Sequence, residues 1–180
     1  MVAKRVSIIL FSLLISPLIT SCATHRLNGY SSYYNASDYE SRMPATYPTG
    51  GEKTVVVNPN VNAWAAYDAD GKLVRGGIAT AGGNWCDDIN ESCRTSTGTF
   101  RIQSMGDGGC ISKRFPLPNG GGLMPYCMYF HNGMALHGSP DGTVIEANVS
   151  HGCVRMRIPD AEWLRYNFAS IGTKVVVQPY

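Results

Sequence analysis

The residues best placed to do chemistry lie in one stretch, Ser150-His151-Gly152-Cys153-Val154-Arg155-Met156, with Ala135-Leu136-His137-Gly138 upstream. A cysteine acts as a nucleophile only as its thiolate, so it needs a base or a positive field nearby. Two histidines, His151 next but one to Cys153 and His137 earlier in the chain, are the residue types that supply both. Gly152 lets the backbone approach closely, so that the Cys153 N–H faces a developing oxyanion. Arg155 adds positive charge, either for a substrate carboxylate or to hold the loop. The chemistry these types suggest is nucleophilic catalysis by a cysteine with a histidine as base.

The other cysteines bear on this reading. The chain has six, at 22, 86, 93, 110, 127 and 153. In an exported protein pairs are expected. Joining Cys86 to Cys93 and Cys110 to Cys127 is the simplest scheme, although four cysteines allow three pairings and sequence does not choose. Under that scheme, with Cys22 used elsewhere, Cys153 is the thiol left over. A free thiol in an oxidising compartment is a liability unless it has work to do.

Export is read from the start of the chain. Lys4 and Arg5 precede an apolar run from Ile8 to Ile19, too short to span a bilayer comfortably. The run ends in Leu18-Ile19-Thr20-Ser21-Cys22, which resembles a bacterial lipobox and implies cleavage before Cys22 and a lipid on its sulfur. Ala23, by resemblance to Gram-negative sorting, favours the outer membrane, facing the periplasm. Residues 22–52, rich in Tyr, Ser, Asn, Pro and Gly, are expected to be a lipidated tether.

A single domain over 53–180 must position the site. The 180 residues suffice for one core; 44% are hydrophobic and 16% charged, which excludes a disordered or coiled-coil chain. Net charge is +2 with the signs interspersed, which argues against a nucleic-acid protein. Twenty Gly and ten Pro indicate many turns and a mainly β fold. Strands are expected at 53–57, 61–67, 73–80, 97–104, 126–136 and 174–177. Pro159, Asp160, Ala161 and Glu162 open one helix running to about Ala169, with Trp163, Leu164 and Phe168 on its buried face.

The pattern His-Gly … Ser-His-Gly-Cys-Val-Arg-Met resembles the catalytic signature of the YkuD-type L,D-transpeptidases. Ser96-Thr97-Gly98-Thr99-Phe100-Arg101-Ile102, the helix from Asp160 to Phe168 and the ending Gly172-Thr173-Lys174-Val175 fall in family order. The resemblance implies a β-sandwich with one helix, Cys153 as acylated nucleophile, His137 as general base and His151 shaping the oxyanion and acceptor side. It places the Gly152 and Cys153 amides in the oxyanion hole, the Gly138 carbonyl behind His137, and Ser150 and Arg155 toward the substrate. The substrate would be a peptidoglycan stem peptide that loses D-alanine. The acceptor would be a stem amine, a lysine of a wall-linked lipoprotein or a free D-amino acid, with no cofactor needed. The sequence departs from the family in its short 16-residue step from His137 to Cys153 and in its two cysteine-flanked loops.

Other readings stand beside this one. Water as acceptor would make an L,D-carboxypeptidase, and an envelope-binding lipoprotein would use neither residue. Cys153 as a buried structural thiol is the default for an arbitrary cysteine. His137 as a satisfied core histidine, His131 as a strand cap and a zinc site from His131, His137, His151 and Cys153 are the remaining alternatives. No ligand spacing supports the zinc site. Trp64, Trp85 and Trp163 read as core rather than as sugar platforms.

Overall fold

The computed structural model describes residues 36–180. The apolar leader, Cys22 and the first part of the expected tether lie outside them. Two sheets face each other across the core. The first has the order β3-β2-β1-β9-β4, from Leu73–Ile78 (β3), Ala63–Tyr67 (β2), Thr54–Asn58 (β1), Lys174–Val177 (β9) and Gly98–Arg101 (β4). The second has the order β5-β6-β7-β8, from Ser104–Met105 (β5), Met128–His131 (β6), Met134–Ser139 (β7) and Val154–Arg157 (β8). The fold is the mainly β sandwich with one substantial helix that the sequence implies.

Alternation along the strands builds the core, because successive side chains point to opposite faces. Val55, Val57, Trp64, Ala66, Val175 and Val177 from the first sheet meet Met128, Phe130, Leu136, Val154 and Met156 from the second. The helix Ile158–Trp163 (α2) continues in a π-helical turn, Leu164–Phe168, and adds Ala161, Leu164 and Phe168 to the same core. Pro159 sits in the first turn, where its missing N–H costs nothing.

Val55, Val56 and Val57 are all fully buried, so β1 is covered on both faces. The cover on the outer face is the segment expected to be a tether. The short helix Ala36–Glu40 (α1) and the chain after it bury Tyr39 and Met43 against Val56, Ala65, Tyr67 and Ile78. Tyr47 and Leu73 extend the attachment through backbone hydrogen bonds with Gly71 and Ala45. The tether reading therefore fails from Ala36 onward: tyrosines and a methionine that looked like linker composition are core side chains. In the same way, the strand expected over 126–136 is a hairpin. Asn132 and Gly133, both at positive φ (44° and 79°), turn β6 back as β7. The strand expected over 97–104 crosses from one sheet to the other at Ile102, which is itself buried.

One buried charge ties the helix to the first sheet. Asp160, in the first turn of α2, accepts a 2.6 Å hydrogen bond from Arg75 on β3 and is 2% exposed. Its other oxygen and the Trp64 indole N–H are buried without partners, and a Cβ on Gly77 would stand 2.9 Å from each. Replacing Asp160 by Ala leaves Arg75 unpaired and opens this corner, and we expect a loss of about 2–3 kcal/mol. Urea unfolding measures it, with Gly77→Ala expected to be destabilising as well.

Candidate active site

Parallel pairing of β7 with β8 sets Leu136 beside Val154 and His137 beside Arg155. Leu136 and Val154 point into the core. By period-two alternation His137, Arg155 and the neighbouring Cys153 are then turned to the opposite face. That face is covered by the chain between β5 and β6, where Met124 and Cys127 pack with Ala135, Tyr129 and Cys153. Between this cover and the sheet lies a cleft of about 1050 Å³, lined among others by Phe115, Leu123, Met124, Tyr129, Cys153 and Arg155.

The disulfides join Cys86 to Cys93 and Cys110 to Cys127, the simplest of the possible pairings, and Cys153 is a free cysteine. Each bridge closes a loop on the cleft. Cys153 is partly buried and packs against Met124, Cys127 and Ala135. Burial pushes the Cys153 thiol above its ordinary range, against the opposing effects of a hydrogen bond with the Ala135 backbone and of the Arg155 charge.

His137 is 5% exposed, and its Nδ1 lies 2.8 Å from the Gly138 carbonyl. A carbonyl only accepts, so Nδ1 carries the hydrogen and Nε2 carries the free lone pair. The Ser139 hydroxyl, 3.3 Å from the same nitrogen, is a second partner that the sequence reading passed over. Burial pulls the imidazole pKa down to about 4; the Gly138 bond raises it and the Arg155 charge lowers it further. The resting pair is therefore a neutral thiol and a neutral imidazole near pH 7.

The turn that carries the sulfur is held from behind. Gly152 has φ +112°, a conformation that L side chains rarely adopt, and a Cβ there would stand 3.3 Å from Met134. Its carbonyl accepts a 2.9 Å bond from the Thr95 hydroxyl, which in turn accepts one from the Gly82 amide at 2.9 Å. The Tyr180 hydroxyl extends the brace, accepting from the Thr95 amide at 2.8 Å and donating to the Gly82 carbonyl at 2.7 Å. Neither Thr95 nor Tyr180 carries a motif that sequence reading would single out.

Two expected roles change. Ser150 borders the cleft but is 1% exposed, and its hydroxyl accepts from the Gly152 amide at 3.2 Å while donating to the Cys153 carbonyl. Its hydroxyl is spent shaping the turn instead of facing a substrate. The same bond takes up the Gly152 amide, which leaves the Cys153 amide as the backbone donor of this turn beside the sulfur. Arg155 holds the turn and also borders the cleft. Its backbone pairs with Thr80, one guanidinium nitrogen reaches the Thr143 carbonyl at 3.4 Å, and the side chain lines the cleft.

His151 lies on the cleft wall, with Nε2 at 2.8 and 2.9 Å from the Asp88 carboxylate oxygens and its ring stacked on Phe115. His131 packs its ring on Phe100 and contacts the Asn132 amide at 3.1 Å. Among the described residues three potential metal ligands converge at one place, Cys86, Asp88 and His151, where the Cys86 sulfur is already bonded to Cys93. The set considered for zinc does not gather there.

The burial of His137 has a consequence for stability. Its folded pKa lies below the unfolded value of about 6.5, so the unfolded chain binds the extra proton first. The stabilisation is fully present above about pH 6.5 and is lost as pH falls toward 4. About 3 kcal/mol is the order of the full effect. We expect His137→Gln to flatten the pH dependence of urea stability in that window; an unchanged slope would show the imidazole to be free to charge in the folded state.

Comparison with known proteins agrees with this architecture. The family profile of the L,D-transpeptidase catalytic domain matches residues 52–177. No curated protein sequence matches the chain. Among solved structures, an L,D-transpeptidase fragment from Xylanimonas cellulosilytica is similar at 25% identity and TM-score 0.62, over 77% of this chain and 66% of that one. One from Stackebrandtia nassauensis is similar at 23% and 0.61, over 80% and 64%. One from Mycobacterium smegmatis is similar at 24% and 0.58, over 71% and 59%. The matched part thus spans less than two thirds of each of these chains. With a family profile covering nearly the whole described domain, the chain belongs to the L,D-transpeptidase catalytic domain family.

Proposed function

We propose that this domain is a peptidoglycan L,D-transpeptidase that transfers a stem peptide from D-alanine to an amine through a thioester on Cys153. The observation that carries the proposal is the tautomer of His137: a buried imidazole locked with Nδ1–H on Gly138 has its Nε2 lone pair available as a base on the face that also bears the thiol. Because both groups rest neutral, the proton moves from Sγ to Nε2 as the sulfur attacks the scissile carbonyl. The carbonyl oxygen gains charge opposite the Cys153 amide. Collapse breaks the bond to D-alanine, whose amine takes the proton from Nε2. The acceptor amine then attacks the thioester and gives its proton to Nε2; the sulfur leaves and takes that proton back, which restores the neutral thiol and imidazole. The Arg155 charge on the cleft wall suits a substrate carboxylate and stabilises the thiolate as it forms.

Export fits the same reading. Disulfide-bridged domains belong to oxidising compartments, which in a bacterium means the cell envelope. A lipid on Cys22 would tether the domain beside its polymer, in the outer membrane by the residue that follows. Metabolic labelling with an alkyne fatty acid should mark the wild type and spare Cys22→Ala, and equal labelling of both would end the anchor proposal.

The activity is tested by mass spectrometry of products from tetrapeptide muropeptides. Wild type should release D-alanine and form a cross-linked or amine-exchanged product. Cys153→Ala should be inactive and His137→Gln about 10²–10⁴-fold slower. Tripeptide as the sole product would make the enzyme a carboxypeptidase. No D-alanine release from a folded protein with a reactive thiol would overturn the substrate assignment.

A further inference from the structure

His151 is two residues from Cys153, yet its ring is held by residues of two loops outside the nucleophile turn. Both oxygens of Asp88 face Nε2, at 2.8 and 2.9 Å. The ring lies against Phe115 with centroids 4.2 Å apart and an interplanar angle of 29°. Asp88 belongs to the loop closed by Cys86–Cys93, and Phe115 to the loop closed by Cys110–Cys127. The chain leading into the first loop is fixed to the residue before His151, because the Gly83 amide donates to the Ser150 carbonyl at 2.9 Å. Within the loop the Cys86 amide donates to the Glu91 carbonyl at 3.0 Å, which keeps the turn containing Asp88 closed. One side chain of the nucleophile turn is thus clasped by both disulfide loops.

We propose that Asp88 is the positioning residue of His151 and that the Cys86–Cys93 bridge is what places Asp88 for this task. A carboxylate facing Nε2 fixes a hydrogen on that nitrogen, and with it the ring plane that Phe115 covers. This is the opposite ring nitrogen from the one protonated on His137, whose partner is a backbone carbonyl. The two histidines of the cleft are therefore set in opposite senses, one by its own strand and one by a disulfide-held loop. In the absence of Asp88 the imidazole is free to rotate and to exchange tautomers beside the turn that must hold the sulfur. As a statement about catalysis, the proposal rests on the transferase reading; as a statement about His151, it does not.

The first readout is long-range ¹H–¹⁵N NMR of the histidine rings in the full domain, which reports protonation at each nitrogen without any substrate. Wild type should show Nε2 of His151 protonated. Asp88→Ala and the double variant Cys86→Ala/Cys93→Ala should both lose that signature, and Asp88→Asn, which keeps an acceptor oxygen, should restore much of it. The second readout is turnover of tetrapeptide muropeptide. Asp88→Ala should lower kcat/KM by about tenfold, and adding it to His151→Gln should cost nothing further, because a residue acting through another is not additive with it. An unchanged His151 signature in folded Asp88→Ala overturns the proposal, as do losses that multiply in the double variant. If no protein turns over the muropeptide, wild type included, the function proposal fails while the ring signature still decides the role of Asp88.

Discussion

The hydrogen-bonded register between β7 and β8 is the constraint on which the site depends. Because Leu136 pairs with Val154, both faces of this ribbon are decided at once: one face enters the core and the other receives His137, Cys153 and Arg155. A slip of one residue would exchange the faces, burying polar groups in the sandwich and turning valine and leucine into the cleft. Core packing and site geometry are thereby coupled, since the apolar penalty for a slip is what keeps imidazole and thiol on a common surface. Parallel pairing requires a crossover, and the connection from β7 to β8 contains the Asp141–Thr143 turn and the nucleophile turn itself.

Burial then sets the electrostatics of the pair. Enclosure disfavours the charged form of both groups, raising the thiol and lowering the imidazole. A preformed thiolate–imidazolium pair is the arrangement that electropositive, better solvated cysteine sites adopt. Here burial disfavours both charged forms, and the positive charge of Arg155 favours the thiolate while disfavouring the imidazolium. An incoming carbonyl beside the Cys153 amide would compensate the charge as it develops. Under the proposed mechanism, the reactivity of the thiol would be coupled to substrate occupancy.

How much of this was legible in the sequence depends on whether the determining contact is local. The closing strand at Lys174–Val177 and the opening of α2 around Pro159 rest on nearby residues and read correctly. The simplest disulfide scheme also turned out to be the one formed, because each bridge spans a single loop. The hairpin at Asn132-Gly133 carried a recognisable turn signal that a long apolar run concealed. Strand β8 was hidden because its residues were read for chemistry rather than for alternation, although Val154 and Met156 are buried and Arg155 and Arg157 are not. The packing of Tyr39 and Met43 was invisible because it depends on β1 being covered on both faces, a tertiary fact.

The same distinction separates the two groups of site residues. His137, Gly138 and Cys153 announce themselves because their chemistry is in their type and their spacing is short. Thr95, Asp88 and Tyr180 are common surface types, and they join the site only through partners 57 to 98 residues away, as in the bond from Tyr180 to Gly82. They share a task, which is to limit what the reactive groups can do: hold a carbonyl, fix a ring hydrogen, close a turn. Preorganisation of this kind costs conformational entropy, which a small sandwich must offset elsewhere. The two disulfides offset part of that cost, since the loops they close would otherwise have to be ordered by a cleft that is itself partly open. The bridges therefore belong to the logic of the site as much as to the stability of the domain.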